Sequence, residues 1–202
     1  MLTIKDSDQN AVEIACKFLR EGKIISFATE TVYGLACDAA NEVAVENLYS
    51  LKKRDHTKAI AIFLKDFAIA KEIFEFDEYS KKIAQDFLPG PLTLVLKKKN
   101  LSKIKFAKNL NLNDDIFLAF RISDNNFVKK LVKNYEGIMA VTSANISGQN
   151  PAVNDYEVEK YFVNSKLDLL IRSGECYSKL PSTVVKIIDG KVEILRQGTI
   201  II

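Results

Sequence analysis

The sequence predicts an α/β protein: an open, twisted, mixed sheet with helices packed on it. Three observations carry that prediction. Short apolar runs at residues 23–28, 59–64, 92–96, 117–122 and 137–141 have the length of buried strands. Between several of them lie segments with apolar residues at helical spacing, such as Ala11, Ile14, Ala15, Phe18 and Leu19. The end differs: two runs, 181–188 and 191–196, flank Asp189-Gly190, the mark of a type I′ hairpin. With 202 residues and no linker, repeat or low-complexity tract, one domain over 1–202 is expected.

A composition 48% hydrophobic and 27% charged suits a globular chain with a full core. The net charge of +3 and pI near 8.6 fall short of a dedicated nucleic-acid binder. Cys16, Cys37 and Cys176 are odd in number, far apart and outside any CxxC pair. That argues against a disulfide framework and a zinc site, and fits a reducing compartment. Met1-Leu2-Thr3-Ile4-Lys5-Asp6 has neither a basic n-region nor an apolar h-region, and no apolar run is long enough to span a bilayer. A cytoplasmic location without a membrane partner is the expectation.

In chain order, Asp6-Ser7-Asp8 can cap a first helix through Leu19, and Gly22 can end it. The strand at 23–28 opens into Thr29-Glu30-Thr31-Val32-Tyr33-Gly34, poor material for a core and good material for a polar pocket. An extended backbone would turn Thr29, Thr31 and Tyr33 to one face, and Gly34 would admit close approach. A polar turn between two strands is the plain alternative. Asn41 can cap a second helix bearing Val43, Val45, Leu48 and Leu51. It ends in Lys52-Lys53-Arg54-Asp55-His56-Thr57-Lys58, which reads either as a solvated, dipole-complementing helix end or as a phosphate clamp. His56, the only histidine, lacks the companions of a zinc site and reads as a surface residue.

Residues 66–87 read as one or two amphipathic helices, stopped by Leu88-Pro89-Gly90-Pro91, a rigid turn into the next strand. Six lysines between Lys97 and Lys108 could touch RNA phosphates, but nearby Asp114 and Asp115 and the scarcity of aromatics favour a solvated loop. Arg121 is a charge inside an apolar run, so it should be paired or meet an anion. A helix over 126–133 leads to the strand at 137–141. That strand opens into Thr142-Ser143-Ala144-Asn145-Ile146-Ser147-Gly148-Gln149, a second polar loop able to donate to an anion. No Walker, GxGxxG or GxSxG pattern is present. One histidine without a carboxylate relay does not suit serine-hydrolase chemistry. A charged helix over 155–162 and a strand over 168–171 precede the hairpin.

Taken together, these stretches resemble the YrdC-like family of threonylcarbamoyl-AMP synthases in its short, single-domain form. The matching pieces are Thr31-Val32-Tyr33-Gly34-Leu35, Leu51-Lys52-Lys53-Arg54, Leu88-Pro89-Gly90-Pro91-Leu92-Thr93, Ala119-Phe120-Arg121-Ile122, the 142–148 loop, and Pro181-Ser182-Thr183-Val184-Val185 with Leu195-Arg196-Gln197-Gly198. They follow the family's order. The resemblance implies an open twisted α/β sheet around a concave positive cavity. It also implies the reaction of L-threonine, bicarbonate and ATP to threonylcarbamoyl-AMP and pyrophosphate, for N6-threonylcarbamoyladenosine modification of tRNA position 37. The family's Lys-x-Arg and Ser-x-Asn signature falls on Lys52, Arg54, Ser143 and Asn145, with Lys52 and Arg54 as the implied catalytic pair. Threonine would be held by Thr31, Arg121, Val141 and Ser182. The nucleotide would be held by Lys52, Arg54, Lys58, Ser143, Asn145 and Arg196. The chain departs from the family pattern at Glu30, commonly Asp, and at Ala59, Ser123 and Gln197, commonly Pro.

Attack of a carbamate oxygen on the α-phosphorus of ATP needs anion neutralisation and in-line positioning more than a strong base. Mg²⁺ is expected to arrive with ATP and be held largely by the nucleotide and water, because no dedicated acidic cluster is visible. tRNA and the downstream threonylcarbamoyl-transferase proteins are the implied macromolecular partners. Two rivals stand beside this reading. One is an RNA-binding module of the same fold without catalysis, its affinity falling steeply with salt. The other is the carbamoyl transfer of hydrogenase-maturation proteins, whose metal-binding and acylphosphatase segments this chain lacks.

Overall fold

The computed structural model describes residues 1–202 except 101, 102, 113 and 115. Leu101 and Ser102 of the lysine-rich stretch, and Asp115 beside it, lie outside the described residues. The chain runs β1 (Leu2–Lys5), α1 (Ala11–Arg20), β2 (Ile25–Ala28), β3 (Tyr33–Asp38), α2 (Glu42–Lys52), β4 (Ala61–Phe63), α3 (Phe67–Ile73), α4 (Glu78–Phe87) and β5 (Leu92–Lys97). It continues with β6 (Phe117–Arg121), α5 (Asn126–Asn134), β7 (Met139–Ser143), α6 (Asp155–Phe162), β8 (Leu169–Arg172), β9 (Thr183–Ile188) and β10 (Lys191–Arg196).

Among the described residues the ten strands form one sheet in the order β1-β8-β2-β3-β7-β4-β6-β5-β9-β10. The pairs β1/β8, β2/β8, β4/β6 and β5/β9 are parallel; β2/β3, β3/β7, β4/β7, β5/β6 and β9/β10 are antiparallel. The sheet is open, with β1 and β10 at its edges. The expected mixed α/β architecture is the one the chain adopts.

Local chemistry sets most boundaries. Asn41 caps α2 by accepting the Val43 and Ala44 N–H groups, each at 3.0 Å. Asp66, Asp77, Asn125 and Asn154 cap α3 to α6 in the same way. Asp189 and Gly190 take φ of 49° and 72°, the left-handed pair a type I′ turn requires. The expected cap of α1 does not form. Asp8 instead accepts the Lys5 N–H at 2.9 Å and closes the turn after β1, while Asn10 stands at the helix start without a side-chain bond.

Strand alternation gives the sheet two unlike faces. Leu35, Ile62, Leu94, Phe120, Ala140 and Val185 are buried on one face in a core shared with α2, α3 and α4. On the other, Ile25, Phe27, Ala36, Met139, Leu169 and Ile171 pack with α1 and α5. Those two helices cover only the half of this face nearest β1. Over β4, β6, β5 and β9 the floor is made of short side chains, Ala61, Ala119, Thr93, Val95 and Val184, and stays concave.

Candidate active site

A cavity of about 510 Å³ opens on that floor, a size suited to a small molecule. Small residues make the room. At Gly34 a Cβ would come within 3.1 Å of Val141 Cγ1, so glycine lets Val141 stay in the floor. The walls come from distant stretches: the 29–34 bend, the loop after α2, the end of β7, and both strands of the final hairpin.

The 29–32 segment is a bend and not the extended run its alternation suggests. Thr29 Oγ1 donates to Val32 O at 2.7 Å, a local bond that competes with strand pairing. The Tyr33 ring is buried in the core, its hydroxyl donating to Gly174 O and accepting from Ser173 N–H, both at 3.0 Å. Thr31 meets Thr29 at 2.8 Å; since Thr29 already donates to Val32, Thr31 supplies that proton. Thr31 Oγ1 then accepts from Arg121 Nη1 at 2.9 Å.

Arg121 is 5% exposed and held on three sides. Nε donates to Gly90 O at 3.1 Å, Nη1 to Thr31, and Nη2 pairs with Glu30 Oε1 at 2.9 Å. The Phe63 ring lies 5.7 Å from its guanidinium carbon. Burial would raise the Glu30 carboxyl, but Arg121, the Ser123 hydroxyl at 2.5 Å and the Asp124 N–H at 3.0 Å together hold it below its ordinary value. Two departures from the family pattern, Glu30 and Ser123, therefore touch each other. Burial lowers the Arg121 guanidinium and Glu30 works against that. Nη2 is buried, and its partner is the Glu30 carboxylate.

Arg54 and Lys58 line the opposite wall. Arg54 Nε donates to Lys58 O at 3.1 Å and Nη2 to Ala59 O at 2.9 Å, so its fork also staples the loop. The solvated helix-end reading fails at Lys52, which is 1% exposed. Its ammonium donates to Ser143 O, to Asn145 O at 2.9 Å and to Asn145 Oδ1 at 3.1 Å. Burial first, and Arg54 second, bring its pKa down to about 7. Lys52 and Asn145 thus stand behind the cavity wall and fix the 142–149 loop, while Ser143, bonded to Asn145 Oδ1 at 2.6 Å, lines it. His56 is half-buried, its ring stacked on Tyr49 with centroids 4.4 Å apart, and not a free surface residue.

The hairpin supplies the third wall. Arg196 reaches back to Ser182, Nε to its carbonyl and Nη2 to its hydroxyl, both at 3.1 Å. Ser182 Oγ also meets Thr93 Oγ1 at 2.8 Å. Gly198 is required beside them, because a Cβ there would sit 2.3 Å from Pro181 O. Burial lowers the Arg196 guanidinium, and Arg121 and Arg54 lower it further, so Arg196 lies in the field of both.

Eight predicted residues therefore meet at one cavity: Thr31, Arg54, Lys58 and Arg121 with Val141, Ser143, Ser182 and Arg196. Thr93 lines the same cavity, and Glu30 with Ser123 stands behind it on Arg121; the sequence motifs assign none of the three a ligand. Thr93 had a visible signal, a hydroxyl in an apolar strand. Among the described residues no group of three or more His, Cys, Asp or Glu could hold a metal ion, and Glu30 is engaged by Arg121. This cationic, hydroxyl-bearing donor set does not fit a protein-held Mg²⁺ and suits an anionic ligand. No helix is long and apolar enough to cross a membrane among the described residues.

The family model Sua5/YciO/YrdC, described as telomere recombination, matches residues 17–198. A chain from Methanocaldococcus jannaschii, provisionally named a threonylcarbamoyl-AMP synthase, is 33% identical over 196 residues, covering 97% of this chain and 89% of its own. The threonylcarbamoyl-AMP synthase of Homo sapiens is 33% identical over 199 residues, covering 93% of this chain and 67% of its own. The crystal structure of Pyrococcus abyssi Sua5 complexed with L-threonine matches with TM-score 0.87 and 31% identity, over 98% of this chain and 57% of that one. This chain spans nearly all of the first relative and little more than half of the last.

Proposed function

The chain belongs to the Sua5/YciO/YrdC family, and on that premise we propose that it is a threonylcarbamoyl-AMP synthase, a nucleotidyltransferase using L-threonine, bicarbonate and ATP. The observation that carries the reading is the convergence of Arg54, Lys58, Arg121 and Arg196 with the Thr31, Ser143 and Ser182 side chains on one cavity. Arg121 takes the threonine carboxylate, with Thr31 and Glu30 setting its orientation. The threonine nitrogen bonds to the bicarbonate carbon with loss of water. A carbamate oxygen then attacks the α-phosphorus, the bond from that phosphorus to the bridging oxygen breaks, and pyrophosphate leaves with the electron pair. Arg54, Lys58 and Arg196 neutralise the charge gathering on the phosphates. Mg²⁺ enters as part of the ATP substrate. Lys52 and Asn145 act by holding Ser143 and its loop in place. The product serves threonylcarbamoyl transfer to adenosine 37 of tRNA by downstream proteins in the cytoplasm.

The test is pyrophosphate release by the pure chain given ATP, threonine and bicarbonate. Release should require both threonine and bicarbonate and be unchanged by tRNA. Release only with tRNA present would overturn the reading. Salt-sensitive RNA binding with no threonine-dependent release would favour an RNA-binding module instead.

A further inference from the structure

A second cavity, of about 540 Å³, lies at the other ends of three strands that line the first. Gly34, Ala61 and Ser143 of β3, β4 and β7 line the proposed active site. Asp38 and Met139, at the opposite ends of β3 and β7, line the second cavity, and Phe63 of β4 lines both. Half-buried Ile69, Ile104, Phe106, Val132 and Ile138 give it an apolar lining. Lys65, Lys105 and Lys133 stand exposed around that lining.

None of these three lysines is in an ion pair among the described residues, so each is free to meet a carboxylate of an occupant. Two carboxylates line the cavity, Asp38 and Glu136. Asp38 is already engaged by the Ala40 N–H at 2.8 Å and faces the Tyr135 hydroxyl.

The chemistry of an occupant follows from this pairing of lining and rim. RNA phosphates would use the lysines but gain nothing from the aliphatic side chains. A bilayer surface cannot enter a concavity. A second copy of this chain, itself of net charge +3, would offer no excess of negative charge to the lysine rim. An apolar groove whose rim sets three exposed lysines against one exposed carboxylate, Glu136, suits a protein segment with apolar side chains on one face and carboxylates flanking them. We propose that this cavity docks an acidic, apolar-faced segment of a partner protein, with Lys65, Lys105 and Lys133 pairing its carboxylates.

The probe is a fluorescein-labelled synthetic helix with leucines at i, i+3, i+4 and i+7 and glutamates beside them, titrated into the full chain by anisotropy. The control helix carries lysine in place of each glutamate. The glutamate helix should bind, more weakly at higher salt, and protect backbone amides of residues 103–108 and of α5 from hydrogen exchange. Lys105→Glu with Lys133→Glu should weaken it about tenfold or more, with pyrophosphate release as in the wild type. That release also reports that the variant is folded, and it separates failure of this inference from failure of the proposed activity. Equal binding of the lysine helix, no effect of the double reversal, or no binding at all would overturn the proposal. So would displacement by tRNA whose own binding depends on Lys105, or dimerisation lost in the double variant.

Discussion

Replacing Glu30 by Gln keeps the side chain's size and removes the counter-charge of a guanidinium that is 5% exposed. Breaking a buried ion pair from one side costs about 3–5 kcal/mol. Glu30's side chain is 17% exposed, which puts the expected loss near the lower end, about 3 kcal/mol. The pH dependence has a definite sign. Glu30's carboxyl is held below its ordinary value in the fold, so its contribution is present above the unfolded value of about 4.3 and is lost as pH falls through the folded value. Urea unfolding of wild type and E30Q should therefore give free energies that differ at pH 7 and converge in acid; parallel curves would show that the pair does not carry the difference. Ser123→Ala should cost about 1 kcal/mol, and E30Q should raise the threonine KM more than it lowers kcat. That Arg121 needed a partner was legible, since a guanidinium in an apolar strand cannot be left bare. Which residue it would be was not, because Glu30 reaches it only through the pairing of remote strands.

The loop after α2 works as a unit stapled by Arg54. Its Nε and Nη2 span two carbonyls, Lys58 O and Ala59 O, which a single ammonium cannot do. Arg54→Ala should lower kcat/KM on the order of 10²–10³-fold, and Arg54→Lys should also fall well below wild type despite its charge. Wild-type activity in Arg54→Lys would mean that only bulk charge matters. Elements whose ends are set by their own side chains were legible: Asn41 caps α2, Asn154 caps α6, and Asp189-Gly190 turns the hairpin. Elements set by distant contacts were not. The four residues of β1 become a strand only by pairing with β8, and Asp8 serves the turn after β1 instead of α1. The burial of Lys52 behind the cavity wall was not legible, because nothing local announces that the 143–145 carbonyl oxygens will surround it.

At the scale of the molecule, strand order decides what the cavity contains. The parallel pairing of β5 with β9 sets Thr93 against Val184 and so brings Ser182 beside Thr93. That order cannot be read from periodicity; the resemblance of motifs implied their assembly, and the sheet supplies the physical means. The result is a fold that gathers Arg54, Arg121 and Arg196 where each is partly desolvated and where Arg196 is in the field of both others. Such an arrangement costs stability until an anion enters, which makes the whole chain a reporter of its ligand. An anion at about 100 times its Kd stabilises by about 2.7 kcal/mol. One kcal/mol moves Tm by about 2–4 °C for a chain of this size, so saturating ATP should raise Tm by roughly 5–10 °C. Pyrophosphate should raise it as well, and adenosine, without phosphates, much less. Salt should raise the Tm of the ligand-free chain by screening Arg54 and Arg196, since Arg121 already has Glu30, and Arg196→Ala should shrink the shift given by ATP. A thermal scan with ATP and adenosine side by side decides the matter: equal shifts would place the binding energy in the base and sugar, and the guanidinium cluster would then need another explanation.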